Sequence, residues 1–303
     1  MISAIRLPGA LQRHLNGTID ALLSGQSGRP GDFARPLREE ALVPADSLSW
    51  RVLKNPISLF IGGTAAVILE LAEPAVRAGV WEHSSFRKDP LNRLKRTGLA
   101  AMISVYGARS IAEPMIARVV RMHASVQGTT AAGIRYSAND PRLLTWVHAT
   151  AAFGFAEAYN RYVQPLSTQN LNDFYREGAP VSRLYGATDS PRSAGEMQAL
   201  FDSTRSCLAP SPIIFEFLRI MGETAAFPRP LRWMQPMLLR AAVELIPEWL
   251  RVALGLSERY GLRGHERRLT KWIGACADRI VLPSSPAVQS CVRLGLPTTY
   301  LYA

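Results

Sequence analysis

The hydrophobic positions of this chain recur at helical spacing from Trp50 onward, and the alternation typical of strands is scarce. Alanine, leucine, arginine and glutamate are frequent there, and all four are compatible with long helices. No Asn-Gly pair separates two alternating apolar runs, so the pattern predicts no β-hairpin. We therefore expect one all-α domain over residues 50–303, preceded by an irregular arm at residues 1–49.

Two dipeptides mark helix starts in this pattern. Asp89-Pro90 and Asp140-Pro141 each place a side-chain acceptor before a proline that would occupy the first helical position. The helix containing SIAEPMIARVVRMHASVQG is expected to end at Gly128, because glycine is common just past the end of a helix.

The most apolar stretch runs from residue 57 to residue 72 and contains Glu70. A membrane-spanning helix needs about 20 apolar residues without a buried charge, so this stretch predicts a buried helix of a soluble protein. Gly62-Gly63 within it is expected to permit close helix packing. Phosphate binding is the weaker interpretation, because no lysine follows at the spacing of a phosphate-binding loop.

Composition and charge fit a folded globular protein. The chain has 303 residues, of which 48% are hydrophobic and 19% charged, which excludes general disorder. Its 35 basic residues against 24 acidic ones give a net charge of +11, but the arginines are scattered from Arg6 to Arg293. Since no nucleic-acid-binding pattern accompanies them, we predict no nucleic-acid partner. Peripheral contact of these arginines with a membrane stays open.

The N-terminal segment and the cysteines bear on location. MISAIRLPGALQRHLNG lacks a continuous apolar run, which predicts that there is no signal peptide. Three cysteines, an odd number without metal-type spacing, argue against a disulfide framework. We therefore predict a cytoplasmic protein, with attachment to the periphery of a membrane as the alternative.

Two of the five histidines occupy informative positions. His123 lies at helical spacing from Ile116 and Val120, on the stripe that is expected to face inward. His148 follows Leu144 by four residues and borders a second apolar face. Either imidazole could be a core side chain satisfied by hydrogen bonds, or an axial ligand of a metal or haem. The spacings of a zinc hydrolase, a serine-hydrolase elbow and a dinucleotide fold are absent.

The helix opened by Asp89-Pro90 carries a polar face. Arg93 and Thr97 are four residues apart, and Arg96 adjoins them, so the three side chains share one side. Two guanidinium groups and a hydroxyl could bind a carboxylate or stabilise bound oxygen. An exposed basic face explains the same pattern equally well.

Five segments together resemble the rubber-oxygenase catalytic-domain family. This family includes the bacterial latex-clearing proteins and the membrane-bound oxygenase that cuts the prenyl chain in mycophenolic acid synthesis. The similar segments are GGTAAVILELAEPAV, WEHSSFRKDPLNRLKRT, VRMHASVQG, YSANDPRLLTWVHAT and LIPEWLRVALGL. The resemblance implies an all-α, globin-like helical domain that binds b-type haem.

The resemblance also implies roles for individual residues. His123, in its M-H-A-x-V context, corresponds to the proximal iron ligand, and Arg93 and Thr97 correspond to the distal Arg-x-x-x-Thr motif. Arg96 stands where latex-clearing proteins have a lysine that approaches the iron, and a guanidinium, which stays protonated, cannot do so. His148 is expected to support the site or to be an alternative ligand.

Two acid–base candidates rest only on their place in the sequence. Glu82 or His83 lies shortly before the Arg93 motif and is a candidate base. With these residues we predict a haem b-dependent oxygenase that uses dioxygen on a hydrophobic, unsaturated, prenyl-type small molecule. The alternative is a helical lipid-binding or apolar-ligand-binding protein without redox chemistry, attached to the periphery of membranes.

Overall fold

The computed structural model describes residues 4–5 and 32–302, and the α-helical fold predicted from the sequence is confirmed there. The described residues form thirteen α-helices and one two-stranded sheet. The helices are Leu48–Val52 (α1), Pro56–Ala72 (α2), Pro74–His83 (α3), Pro90–Tyr106 (α4), Arg109–His123 (α5), Pro141–Tyr162 (α6), Thr168–Leu184 (α7), Ala194–Thr204 (α8), Pro212–Glu223 (α9), Gln235–Leu245 (α10), Glu248–Ala253 (α11), Gly264–Ala277 (α12) and Pro286–Arg293 (α13). Four short 3₁₀ segments are Arg205–Cys207, Arg229–Met234, Glu258–Tyr260 and Tyr300–Tyr302.

Both predicted helix starts are confirmed by capping hydrogen bonds. The Asp89 carboxylate accepts from the backbone N–H of Asn92 at 3.4 Å, and α4 begins at the following proline. The Asp140 carboxylate accepts from the N–H of Arg142 at 2.8 Å at the start of α6. These bonds satisfy N–H groups that have no partner within the helix.

Helices α2 and α6 pack together along their length and form the centre of the molecule. They approach most closely at Gly62 and Gly154, where a Cβ built on Gly62 would lie 2.5 Å from the carbonyl oxygen of Gly154. The Trp146 indole N–H donates to the Leu69 carbonyl at 3.2 Å and ties the same two helices further along. The predicted use of the glycine pair for close packing is confirmed at Gly62.

The remaining helices divide the apolar core into two parts. Helices α3, α9, α10 and α12 pack against α2, and they enclose the larger cluster of buried side chains. Helix α4 instead packs on α1, α5 and α13, around a second cluster that contains Trp50, Tyr106 and Ile116. Phe155 of α6 contacts both clusters. The two clusters therefore meet at Phe155.

A β-hairpin follows α5, where the sequence predicted a helix ending at Gly128. Strand β1 (Gln127–Thr129) pairs antiparallel with strand β2 (Arg135–Ser137), and Gly133 in the connecting turn has φ +78°. The prediction was wrong because Gly128 serves another purpose. A Cβ there would lie 2.6 Å from the hydroxyl of Tyr136, so the glycine lets this ring cross the strand.

Residues 57–72 belong to a helix that is mostly buried, as predicted. Within the described ranges, no single helix is long and apolar enough to cross a bilayer. Among the described helices, α2 and α3 taken together have the length and composition of a membrane span, but the two helices are bent by 110° at Glu73. The predicted irregular arm spans residues 1–49, of which residues 1–3 and 6–31 lie outside the described residues, and the division into arm and domain stays a prediction.

Candidate cofactor site

Helices α2 and α6 each carry a partly accessible stripe of residues. On α2 the stripe contains Phe60, Gly63, Val67 and Glu70, at spacings of three and four residues. On α6 a similar stripe contains His148, Ala151, Ala152 and Phe155. Gly63 and Phe155 are neighbours, since a Cβ on the glycine would lie 3.8 Å from the phenyl ring. The two stripes therefore lie next to each other in the helical frame.

Four ionisable side chains from four helices lie close to one another beside these stripes. Glu70 of α2 and Arg93 of α4 are close enough for each charge to shift the pKa of the other group. Arg93 likewise shifts the pKa of His123 of α5, which in turn shifts the pKa of His148 of α6. Three of these residues were predicted from the sequence, and the fold brings all four together.

One nitrogen of the His123 imidazole, Nδ1, is buried without a hydrogen-bond partner among the described residues. Burial, and then the charge of Arg93, lower the pKa of His123, which favours the neutral ring. A neutral imidazole carries a free lone pair and is the commonest protein ligand of a metal.

The donor set around His123 fits iron held by a porphyrin. Across the described part of the chain, no group of three or more His, Cys, Asp or Glu side chains is arranged to hold a metal ion. A single imidazole is nevertheless sufficient for haem iron, because the macrocycle supplies the four equatorial ligands. The unpartnered Nδ1, the partly accessible stripes and the nearby guanidinium of Arg93 are therefore compatible with haem.

His148 is held in place by an aromatic neighbour. Its ring lies 4.9 Å from the ring of Tyr185, centroid to centroid, with an angle of 47° between the planes. The Tyr185 hydroxyl and the Ser104 hydroxyl are 3.0 Å apart, which connects this pair to α4. Burial, and then the charge of His123, lower the pKa of His148 to about 4. This imidazole is therefore also neutral near pH 7.

The polar face predicted on α4 is divided between two environments. The Arg93 guanidinium donates to the hydroxyl of Thr97, and that hydroxyl donates to the Arg93 carbonyl at 3.0 Å. The exposed Arg96 instead donates to the Ser85 hydroxyl at 2.7 Å. Thr97 therefore orients Arg93, whereas Arg96 is engaged with the loop between α3 and α4.

Glu82 lies outside this group of residues. It and His83 are exposed at the end of α3. Burial of Tyr136 and the neighbouring charge of Glu82 raise the pKa of the Tyr136 phenol, which places the carboxylate beside the hairpin. Among the described residues, no ion pair joins Glu82 to Arg93.

The acid that the fold brings to Arg93 is Glu70. Burial raises the pKa of its carboxyl to about 7, against the opposing effect of the Arg93 charge. The sequence pattern identified Glu70 only as a charge that argues against a membrane-spanning helix. The stronger signal is a single acid retained in the last turn of a buried apolar helix, because such a position is costly without a partner or a function.

Comparison with known proteins shows which family this chain matches. The family model described as "ER-bound oxygenase mpaB/B'/Rubber oxygenase, catalytic domain" matches residues 50–277. Two mycobacterial proteins, each described only as uncharacterized, are 25% identical to this chain over 174 residues, covering 55% of this chain and 68% of theirs. One is from Mycobacterium bovis and the other from Mycobacterium tuberculosis. No solved structure matches the chain at a significant level.

Proposed function

Because the chain belongs to the family of ER-bound mpaB/B' oxygenases and rubber oxygenases, we propose that it is a haem b-dependent oxygenase. The observation that carries the proposal is the buried, unpartnered Nδ1 of His123 beside Arg93, Glu70 and His148. Its substrate is a hydrophobic, unsaturated small molecule, and its second substrate is dioxygen.

In this proposal, His123 binds the haem iron and His148 is the alternative ligand. Both pKa values are lowered by burial, so both rings keep a lone pair available near pH 7. Arg93, oriented by Thr97, would donate from its N–H groups to a haem propionate or to an oxygen atom of a bound molecule. Bound haem supplies the redox chemistry that activates dioxygen.

Glu70 holds the proton at this site. With a pKa of about 7, its carboxyl exchanges a proton with a bound molecule near neutral pH at small energetic cost. The charge of Arg93 favours the ionised form of Glu70, and burial favours the protonated form. The balance between these two effects sets whether the Glu70 carboxyl releases or takes up a proton. This assigns to Glu70 the acid–base role for which Glu82 was the candidate in the sequence.

The rest of the lining suits an apolar substrate. Phe60 and Val67 of α2, with Ala152 and Phe155 of α6, offer hydrocarbon and aromatic surface along the two stripes. Such surface takes up an alkene chain and keeps water away from the reacting atoms. A prenyl-type chain, which is apolar and carries regularly spaced double bonds, fits these requirements.

The proposal is tested by reconstitution. The purified protein is titrated with haemin, its absorption spectrum is recorded, and oxygen uptake is then measured with squalene as an isoprenoid probe. We expect a Soret band that saturates at one haem per chain, and oxygen uptake with an oxidised product detected by mass spectrometry. A folded protein that develops no Soret band would overturn the proposal. Apolar molecules retained by such haem-free protein would favour the alternative of a lipid carrier.

A further inference from the structure

We infer that the outer face of α5 docks on an anionic lipid bilayer, which deepens the proposed function by stating where the apolar substrate enters. We define this outer face by its exposed residues Ile111, Pro114, Ala117, Arg118, Arg121 and Met122. Ile111, Arg118 and Met122 are separated by seven and four residues, so they share one side of the helix. The opposite side buries Ala112 and Ile116.

Two features make this face suitable for a membrane. Ile111 is 40% exposed and Met122 is 54% exposed, although both side chains are large and apolar. Arg118 and Arg121 lie beside them, and neither side chain has an ion-pair or hydrogen-bond partner among the described residues. Apolar side chains flanked by arginines are typical of helices that lie in the interface of an anionic membrane.

The acidic residues near α5 do not neutralise the outer face. Glu113 lies on the side away from Met122 and pairs with Arg109 at 3.9 Å. Glu39 accepts from the N–H and the hydroxyl of Ser110 at 2.6 and 2.9 Å, at the beginning of the helix. Both carboxylates are therefore engaged away from Arg118 and Arg121, whose charges remain available to lipid phosphates and carboxylates.

The last turn of α5 connects this face to the proposed haem site. Met122 points to the exposed side, and its neighbour His123 is turned inward. An α-helix with its side chains is about 10–12 Å across. Docking through α5 would therefore bring the bilayer surface within about one helix diameter of His123, and an apolar substrate dissolved in the bilayer would have a short path to the site.

The inference is tested by co-sedimentation with vesicles, in which binding of the full chain is measured without adding haem. We expect binding to equimolar phosphatidylcholine and phosphatidylserine and weaker binding to phosphatidylcholine alone. The double variant Arg118→Gln, Arg121→Gln should weaken binding roughly 25-fold, because each arginine at an anionic surface contributes about fivefold. The double variant Ile111→Ser, Met122→Ser should weaken the vesicle binding that persists at high salt, where the contribution of the arginine charges is screened.

A matched control removes the same charge from another exposed basic helix face. Arg268 and Lys271 lie on α12 next to the exposed Trp272. If α5 is the docking face, the double variant Arg268→Gln, Lys271→Gln should change vesicle binding by less than about twofold, because these charges then lie away from the bilayer. Equal losses from both pairs would attribute binding to net charge, and a loss from the α12 pair alone would move the docking face. Either result would overturn the inference, as would wild-type protein that does not bind the mixed vesicles.

The haem spectrum of the same preparations separates the two proposals. A Soret band without vesicle binding would overturn docking and leave the oxygenase proposal intact. Vesicle binding through α5 without a Soret band would overturn the oxygenase and retain the docking face.

Discussion

Gly62 and Gly154 face each other where α2 meets α6, with no space for a side chain between the two backbones. A Cβ on Gly62 would lie 2.5 Å from the carbonyl oxygen of Gly154 and 2.9 Å from the Cα of Phe155. Because these are backbone atoms of a buried helix, neither can move away without separating the helices. The contact therefore fixes how closely α2 and α6 approach, and with it the position of the two stripes that line the candidate site.

This contact predicts opposite effects for two adjacent glycines. Gly62→Ala should lower the free energy of unfolding by about 1–3 kcal/mol through overpacking, or by more if the helices separate. Gly63→Ala should be neutral or stabilising by up to about 1 kcal/mol, because its Cβ would meet only the Phe155 ring at 3.8 Å and alanine favours the helix. Urea unfolding of both variants measures the difference. Equal stabilities would show that the helices can yield at Gly62.

A second prediction concerns the buried ion pair that anchors the end of α12. The Lys54 ammonium lies 2.6 Å from the Asp278 carboxylate, and these side chains are only 3% and 11% exposed. Asn55 and Tyr159 also donate to this carboxylate, at 3.1 and 3.2 Å. Asp278→Asn should cost about 3–5 kcal/mol, because it leaves the Lys54 charge buried without its partner.

The control for Asp278→Asn is an exposed ion pair. Asp173 accepts from Arg176 at 2.7 Å on the surface of α7. Asp173→Asn should change the free energy of unfolding by less than about 1 kcal/mol, because exposed pairs contribute little. Chemical denaturation compares the two variants. A cost for Asp278→Asn no larger than that of the control would mean that Lys54 finds another partner or water.

The third prediction follows from the carboxyl of Glu70. Its pKa is about 7 in the folded state against 4.5 as the ordinary value, so the folded protein favours the protonated form. This contribution to stability is fully present below pH 4.5 and is lost as the pH rises through 7. Relative to Glu70→Gln, the haem-free wild type should therefore lose about 1–3 kcal/mol over this window.

The measurement for Glu70 is thermal or urea unfolding at several pH values between 4 and 8.5 for both proteins, with roughly half-unit steps. The difference between wild type and variant isolates Glu70 from the other groups that titrate in the same range. A difference that stays constant with pH would mean that Glu70 titrates normally, which would remove the basis for its acid–base role.

The fourth prediction distinguishes the two candidate ligands of the haem iron. His123→Gly should abolish the Soret shift seen on reconstitution, and added imidazole should restore it by occupying the space left by the side chain. His148→Gly should keep the shift, because this residue is the alternative ligand only. If His148→Gly alone loses the band and imidazole rescues it, the axial ligand is His148.

Local signals in the sequence were sufficient for the helical frame and for part of the site. The Asp-Pro pairs located the starts of α4 and α6, because capping and proline geometry depend on adjacent residues only. Helical spacing alone placed Arg93 beside Thr97 and turned His123 inward, since both relationships are contained within one helix. The hairpin after α5 was missed, because it depends on the packing of Tyr136 across Gly128 and not on a turn signature.

The sequence by itself determined which residues could carry charge, a proton or a metal bond, and which faces of their helices they occupy. Only the tertiary structure decided which of them meet, because Glu70, Arg93, His123 and His148 come from four helices whose arrangement depends on packing. Glu70 belongs to the group and Glu82 does not, although Glu82 is nearer to Arg93 in the sequence. The physical reason is that helix contacts such as that of Gly62 with Gly154 join distant segments and fix what lies between them.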